Sequence, residues 1–549
     1  MRSRLFLALL VLCAPLAQAT PVEDATKVAR AAYDNKQFAQ SAAAYSKATA
    51  LAPSQWWHAF NAACSYALAG DKELAFQFLV QAVDAKFHDA TSMEKDTDLI
   101  SLHDDPRWPA LVERVKAQKL FRNKLHRSPA FDTPLQENIS ENEKLAGLAR
   151  FWSEVKYNLP EQDVLRRADW DALFVAYLPK VKATTSTAAY YAVMVQLAET
   201  LNYPGTSVSY PNELRKKLFA YPPFMTRLVE GRILVDEVHD TALHDKGVVP
   251  GTEVTSVDGV AAVGYAREHA QPMLVGQSLA RRQAKEAGYL FMVGPVERPS
   301  RVRFARPDGS QFELPVSRFS PEERAKRDTQ NEFTVSTMPD NIAYVRFNSL
   351  DRDEVNAVLA GFDGFDKAAA MIIDVRDVQF GDLESMANVL KFLLPQPLIP
   401  TRRLSRVHKA MDDRYFYTDT AAMFDDGPLV PHDRAHQFTN PVLVLTSALT
   451  ANEAERLVST MVETKRATII GERTAGDGCA TVIMPLPGGG HASVCTMRSN
   501  YPNDMQRGGV GIAPDISVSP TVDDMRKGRD TVLEVALDAA RQANAARKK

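Results

Sequence analysis

Residues 440–478 read NPVLVLTSALTANEAERLVSTMVETKRATIIGERTAGDG. An apolar run, Val442–Leu445, enters a short polar turn, and a helical pattern starts near Asn452. A strand that turns sharply into a helix can aim one side chain out of a sheet edge. The backbone N–H groups at the helix start then favour a developing oxyanion. The residue at that start is an asparagine, whose amide cannot attack a carbonyl as an activated hydroxyl does. The stretch has the form of a nucleophile turn without the nucleophile.

Outward from this turn, apolar strands alternate with helices from residue 332 on. IAYVRFNSL and AAMIIDVR precede a helix around Leu383–Phe392. PVLVLTS, the helix Glu453–Lys465, ATIIGE and the hairpin CATVIMPL…HASVCTM follow, and TVLEVALDAARQANA reads as a last helix. Such alternation predicts an α/β core around a largely buried sheet over 332–545.

Upstream, residues 215–318 change to short strands: GRILVDEV, EVTSVDGV, RVRFAR and QFELPVSR. KGVVPGTEVTSVDGVAA, 246–262, reads as turn, strand and tight turn, with Gly251 and Gly259 supplying positive φ. This pattern resembles a PDZ domain, which implies that Gly247, Val248, Gly251, Asp258 and Gly259 belong to a groove for an extended peptide. The loop VEGR, 229–232, is placed as its carboxylate-binding turn. Residues 141–212 carry three helical patterns, in which Trp152, Tyr157, Trp170, Tyr190 and Tyr191 are expected as core aromatics. Residues 24–87 repeat with a period of 34: Ala29 maps to Ala63, Ala32 to Tyr66, Ser41 to Ala75, Tyr45 to Leu79 and Ala48 to Ala82. This resembles tetratricopeptide repeats, with Trp108–Leu120 as a capping helix and 121–140 as a linker.

IAYVRFNSL, AMIIDVRD, NPVLVLTSALTANEAE, ATIIGERTAGDG and GGVGIAPDISV, in this order, resemble the tail-specific proteases, or C-terminal processing peptidases, and their tricorn-core relatives. The resemblance covers roughly 140–545. It implies a multidomain chain: an α-helical repeat N-terminus over 20–120, a β-rich PDZ-like module, and an α/β crotonase-like peptidase core. Active members are serine endopeptidases that cleave near protein C-termini. Their serine stands three residues before a glutamate, which itself lies about sixteen residues before a Gly-Glu pair. Here Gly471–Glu472 is the pair, Glu455 the glutamate and Asn452 the serine position. The lysine of one branch falls on Asp477 in TAGDG. The Asp and His of the other branch fall on Tyr203 and Gly205 in LNYPGTSV. In the oxyanion loop DVRDVQFGD only Gly381, beside Phe380, remains of a glycine pair.

Asn452 also reads as a helix N-cap with Glu455 as its capping-box partner. A shifted register would make Thr450 the cap with Glu453 as partner, and Thr450 or Ser447 would then be displaced nucleophiles. No base is legible for either: Lys465 falls at the far end of the helix.

Composition sets the remaining bounds. The 549 residues allow three or four domains. A net charge of −3 gives no electrostatic reason for nucleic acid or a membrane surface. MRSRLFLALLVLCAPLAQA reads as a signal peptide, 1–19, cleaved after Ala19, and no later run is long enough for a membrane span. An exported protein follows, periplasmic in a Gram-negative host. Cys64 is expected as a small buried residue. Cys479 and Cys495 flank the turn PGGG, 487–490, about three residues out of register, and are expected unbridged. His432 and His436 have a spacing that can hold a metal, but Pro431 and the polar surroundings favour a solvated turn. The pairs Asp412–Asp413 and Asp425–Asp426 are expected as solvated surface, and His491 as a strand residue. No metal and no cofactor are expected. The reading is a peptide- or protein-binding scaffold of this peptidase family, with peptide or protein C-termini and a partner of the helical repeats as ligands. The alternatives are an active serine endopeptidase with a displaced nucleophile and a structural envelope protein.

Overall fold

The computed structural model describes residues 21–126, 129–270, 278–288, 290–327, 333–365, 367–395, 402–411, 421–425, 437–500 and 509–547. The chain divides into two units, 1–129 and 130–549. The first contains α1 (Pro21–Asp34), α2 (Phe38–Leu51), α3 (Trp56–Leu68), α4 (Lys72–Asp84), α5 (Ala90–Lys95) and α6 (Arg107–His126). Alanines at the repeat positions let helices approach closely: Ala29, Ala48, Ala63, Ala75 and Ala82 are fully buried. Cys64 is buried in this core. Helix α6 runs to His126, six residues into the stretch expected as a linker.

The second unit begins with α7 (Glu141–Asn158), α8 (Gln162–Ala168), α9 (Trp170–Lys182), α10 (Thr187–Leu201), β1 (Ser207–Ser209) and α11 (Asn212–Leu218). Tyr190, Tyr191 and Trp170 are core residues. Trp152 is only half-buried, because its indole N–H reaches out to Asp171 Oδ1 at 3.0 Å, and Tyr157 is 37% exposed. These two aromatics cover the core rather than fill it.

The next elements are β2 (Phe224–Val229), β3 (Arg232–Val238), α12 (Thr241–Asp245), β4 (Glu253–Val257), β5 (Val260–Ala261), α13 (Ala262–Ala270), α14 (Leu279–Glu286), β6 (Ser300–Ala305), β7 (Gln311–Val316) and α15 (Pro321–Arg327). The antiparallel sheet has the order β2-β3-β4-β6-β7, with β5 paired to β4. Its core includes Phe224, Ile233, Val254, Tyr265, Phe291 and Phe304. Glu230 and Gly231, at φ of 50° and 77°, form the tight β2–β3 hairpin turn, so VEGR is a hairpin tip and not a carboxylate cradle.

The α/β core follows: β8 (Thr334–Met338), β9 (Ile342–Arg346), α16 (Arg352–Ala360), β10 (Ala370–Asp374), α17 (Leu383–Leu393), β11 (Arg402–Arg406), β12 (Ala421–Asp425), β13 (Val442–Thr446), α18 (Glu453–Glu463), β14 (Ala467–Gly471), β15 (Cys479–Leu486), β16 (Gly490–Asn500), β17 (Ile516–Ser517), α19 (Val522–Arg526) and α20 (Thr531–Arg547). Among the described residues, six strands form one sheet in the order β17-β14-β13-β10-β9-β8, parallel except for β8. Strands β10 and β13 are buried along their whole length, as a sheet covered on both faces demands. Helices α16, α17 and α18 cover one face through Val355, Met386, Leu457 and Val458. Helix α20 covers the other through Val532, Ala536 and Ala540. Each such valine, leucine or methionine side chain contributes roughly 1.5–3 kcal/mol by leaving water.

A second sheet is built on β16, which pairs with β15 along one edge and with β1 and β11 along the other. The helices of 141–201 pack on it through Met484, Leu486, Ala492 and Val494. Tyr191 Oη accepts from the Gly490 N–H at 2.9 Å and donates to the Pro487 carbonyl at 2.8 Å. A Cβ at Gly490 would lie 2.3 Å from the tyrosine ring, so the glycine at this position is a packing requirement.

Candidate functional site

Strand β13 delivers the chain to a turn, Ser447–Asn452, at the carboxyl ends of the parallel strands. Asn452 occupies the position before the first residue of α18 with φ 53° and ψ −124°. A side chain in this region costs about 1–3 kcal/mol, and such strain collects at functional turns. The surroundings hold it there: the Ala451 N–H bonds to the Val378 carbonyl at 3.0 Å, and Asn452 Nδ2 to the Gln379 carbonyl at 2.6 Å. The asparagine amide is therefore a tie between the turn and the 375–382 loop. It makes no capping bond to its helix, which corrects the expected capping box.

Glu455 also departs from that expectation. It is fully buried and turns away from the helix start, toward 474–477. Its Oε1 accepts from the Thr474 hydroxyl and from the Gly476 N–H at 2.8 Å, and its Oε2 from the Asp477 N–H at 2.7 Å. Burial pushes its carboxyl up to about 7. The glutamate fastens the first turn of α18 to the 474–478 turn.

Thr450 is wholly buried, and its hydroxyl donates to the Val375 carbonyl at 2.9 Å and accepts from the Ser447 N–H at 3.0 Å. The Ser447 hydroxyl donates to the Arg376 carbonyl at 2.5 Å and accepts from the Leu449 N–H at 3.0 Å. A hydroxyl carries a single proton, and each of these is spent on a backbone carbonyl. Among the described residues, no histidine or lysine hydrogen-bonds to Ser447, Thr450 or Asn452.

The 375–382 loop presents carbonyls to its neighbours. Those of Val378, Gln379 and Phe380 accept from Ala451, Asn452 and Leu350. Gly381 pairs with Leu350, and a Cβ there would lie 2.6 Å from the leucine Cβ. Its glycine serves close packing, whereas an oxyanion needs N–H donors. Phe380 is 71% exposed.

Asp477 lies beside Asn452 in a pocket of about 250 Å³, which Glu453, Arg456, Arg403 and Cys479 also line. Its carboxylate is ion-paired with Arg281 of α14, a residue 196 positions earlier that sequence reasoning did not single out. No local signal in RRQAKE could have revealed the pair. Burial, and after it the Arg281 guanidinium, pushes Lys285 down to about 7, against the opposing pull of Asp477. Burial also raises the Glu453 carboxyl above its usual range.

Gly205 has φ 74°, and a Cβ there would lie 2.9 Å from both Cys479 Cβ and Thr481 Cγ2. There is no room for an imidazole. Tyr203 is buried. What fills the space beside Gly205 is a disulfide between Cys479 and Cys495, which overturns the expectation that they are unbridged. Cys495 lies opposite Thr481 and Cys479 opposite Arg498, and the register shifts between Ala480 and Thr481. The bulge inserts Thr496 between these pairs, and the bridge runs diagonally across the ladder between Cα atoms 5.5 Å apart.

The remaining candidates lie elsewhere. Val248 is in the core of the β-rich module. A Cβ on Gly251 would lie 2.9 Å from Arg526 Cα, so both positions are closed to a peptide. A Cβ on Gly247 would lie 3.2 Å from the Arg306 guanidinium. Asp258 and Gly259 form the β4–β5 turn, where Asp258 Oδ1 accepts from the Arg301 N–H at 2.7 Å. His491 is in β16, opposite Ser209 and Pro485. His432, His436, Asp412, Asp413 and Asp426 lie outside the described residues.

The parallel sheet thus carries a strained strand-to-helix turn at Asn452, beside the pocket. Residues 341–518 match the model of peptidase family S41. It is 26% identical over 302 residues to carboxyl-terminal-processing peptidase 1, chloroplastic, of Arabidopsis thaliana, across 53% of each chain. It is 32% identical over 93 residues to a carboxy-terminal-processing protease of Bartonella bacilliformis, across 17% of this chain and 21% of the relative. The chain thus spans about half or less of the curated relatives it matches. The fold is similar to that of mature CPAF complexed with lactacystin, with a TM-score of 0.57 and 13% identity, over 73% of this chain and 98% of that one. No described helix is long and apolar enough to cross a membrane.

Proposed function

We propose that this protein is an exported S41-family scaffold that binds peptide or protein C-termini and does not hydrolyse them. The observation that carries the reading is Asn452. By its motif offset it falls on the family's nucleophile position, and the reading is supported by its strained backbone and by its amide bonded to the Gln379 carbonyl. The neighbouring hydroxyls of Thr450 and Ser447 are committed to carbonyls. Asp477 stands where one branch of the family places its lysine, and Gly205 where the other places its histidine. Removal of the nucleophile alone leaves a residual acceleration of about 10³–10⁴, which depends on oxyanion binding. Here the loop that would supply it turns carbonyls toward the site. The β-rich module at 215–318 is the proposed receptor for peptide termini, through positions other than Val248 and Gly251, which are packed. The 34-residue repeats are the proposed partner surface, and the leader at 1–19 the export signal.

The test is treatment of the purified protein with a fluorophosphonate probe and a tailed peptide substrate, beside Asn452→Ser. Neither protein should be labelled or turn over substrate, because a serine at 452 still has no base, while the peptide should still bind in titration. Turnover by the wild type that is abolished in Thr450→Ala or Ser447→Ala would overturn the reading.

A further inference from the structure

Asp477 has a role that the loss of a lysine does not explain. Its partner Arg281 lies on α14 of the β-rich module, and both side chains are withdrawn from water, at 7% and 18% exposure. On the next residue, Arg282 bonds Asn202 Oδ1 at the end of α10. One turn further along α14 stands Lys285, also beside Asp477. Helix α14 thus faces the 474–478 turn with the Arg281 guanidinium, and a carboxylate is the charge that answers it. A lysine at 477 would confront the guanidinium. Removing one member of a buried pair leaves the other charged and unpaired, which costs more than forming the pair gains. The turn is in turn fixed to α18 through Glu455, and Asp477 itself lines the pocket beside Asn452. On its other side the module rests on α19, where Val229 and Leu234 pack against Val522 and Met525.

We infer that the Arg281–Asp477 ion pair is a latch that seats α14 of the β-rich module on the pocket turn and keeps that turn in its present shape. The sign of the residue at 477 is matched to the module and not to proton transfer. The latch concerns docking and stands whether or not the protein cuts peptides, so its failure is separable from failure of the scaffold reading.

Hydrogen exchange by mass spectrometry on the full chain tests it, with Arg281→Ala, Asp477→Asn and the exchanged pair Arg281→Asp with Asp477→Arg. In each single variant, amides of 279–288 and 474–478 should exchange at least ~10-fold faster, with β13 and α20 unchanged as the control for folding. The exchanged pair should recover part of the protection. Wild-type exchange in both single variants, or an exchanged pair as fast as the singles, would overturn the inference.

Discussion

Glu455→Gln separates the buried carboxyl's charge from its packing. The Glu455 carboxyl is pushed from 4.5 to about 7 by burial, while in the unfolded chain it returns to its ordinary value. Between pH 4.5 and 7 the folded protein therefore holds a proton that the unfolded one has released. Stability from this group is fully present below about 4.5 and falls as pH rises through about 7. At about 1.4 kcal/mol per pH unit, the loss between pH 5 and pH 8 is about 2–3 kcal/mol. A glutamine does not titrate. It keeps one acceptor oxygen but turns an amide toward backbone donors, so the variant is less stable at pH 5. The measurement is chemical unfolding of wild type and variant at both pH values. The gap between them should narrow by about 2–3 kcal/mol from pH 5 to pH 8, since only the wild type pays for ionisation. A gap that is constant, or that widens with pH, would refute the assignment of a proton to this carboxyl in the folded state.

Cys479→Ser opens a bridge that spans 16 residues. It should cost about 3 kcal/mol in unfolding free energy under oxidising conditions and nothing in the presence of reductant, where both proteins lack the bond. Lys285→Met addresses the opposite titration. The native ammonium is lowered to about 7, so stability tied to it rises with pH from about 7 to 10.5. The methionine variant should gain more in melting temperature at pH 6 than at pH 9.5, and an equal gain at both would argue that Lys285 is solvated.

The parallel-sheet core was legible because its signals are local. Runs such as AMIID and VLVLT are buried strands by composition alone, and the helices at Leu383–Leu393 and Glu453–Glu463 announce themselves by apolar periodicity. The site was half legible. The proposal that Asn452 stands at a nucleophile position rests on its offset to Gly471–Glu472, a distance counted along the chain. Its role does not follow. A capping box was the reasonable local reading of Asn452 and Glu455, and tertiary contacts overrode it, because Gln379 and the 474–477 backbone offered both side chains bonds out of water.

What the sequence by itself determined is which residue types occupy the turn, an amide at Asn452 with hydroxyls at Ser447 and Thr450, since side-chain identity is a covalent fact. Only the tertiary structure decided what the substitutes do. The partners of Asp477 and Gly205 lie 196 and 274 positions away in the chain, at Arg281 and Cys479. No pattern within a strand or helix encodes such a meeting, because ion pairing, diagonal bridging and burial depend on distances in space that exist only once the chain has folded.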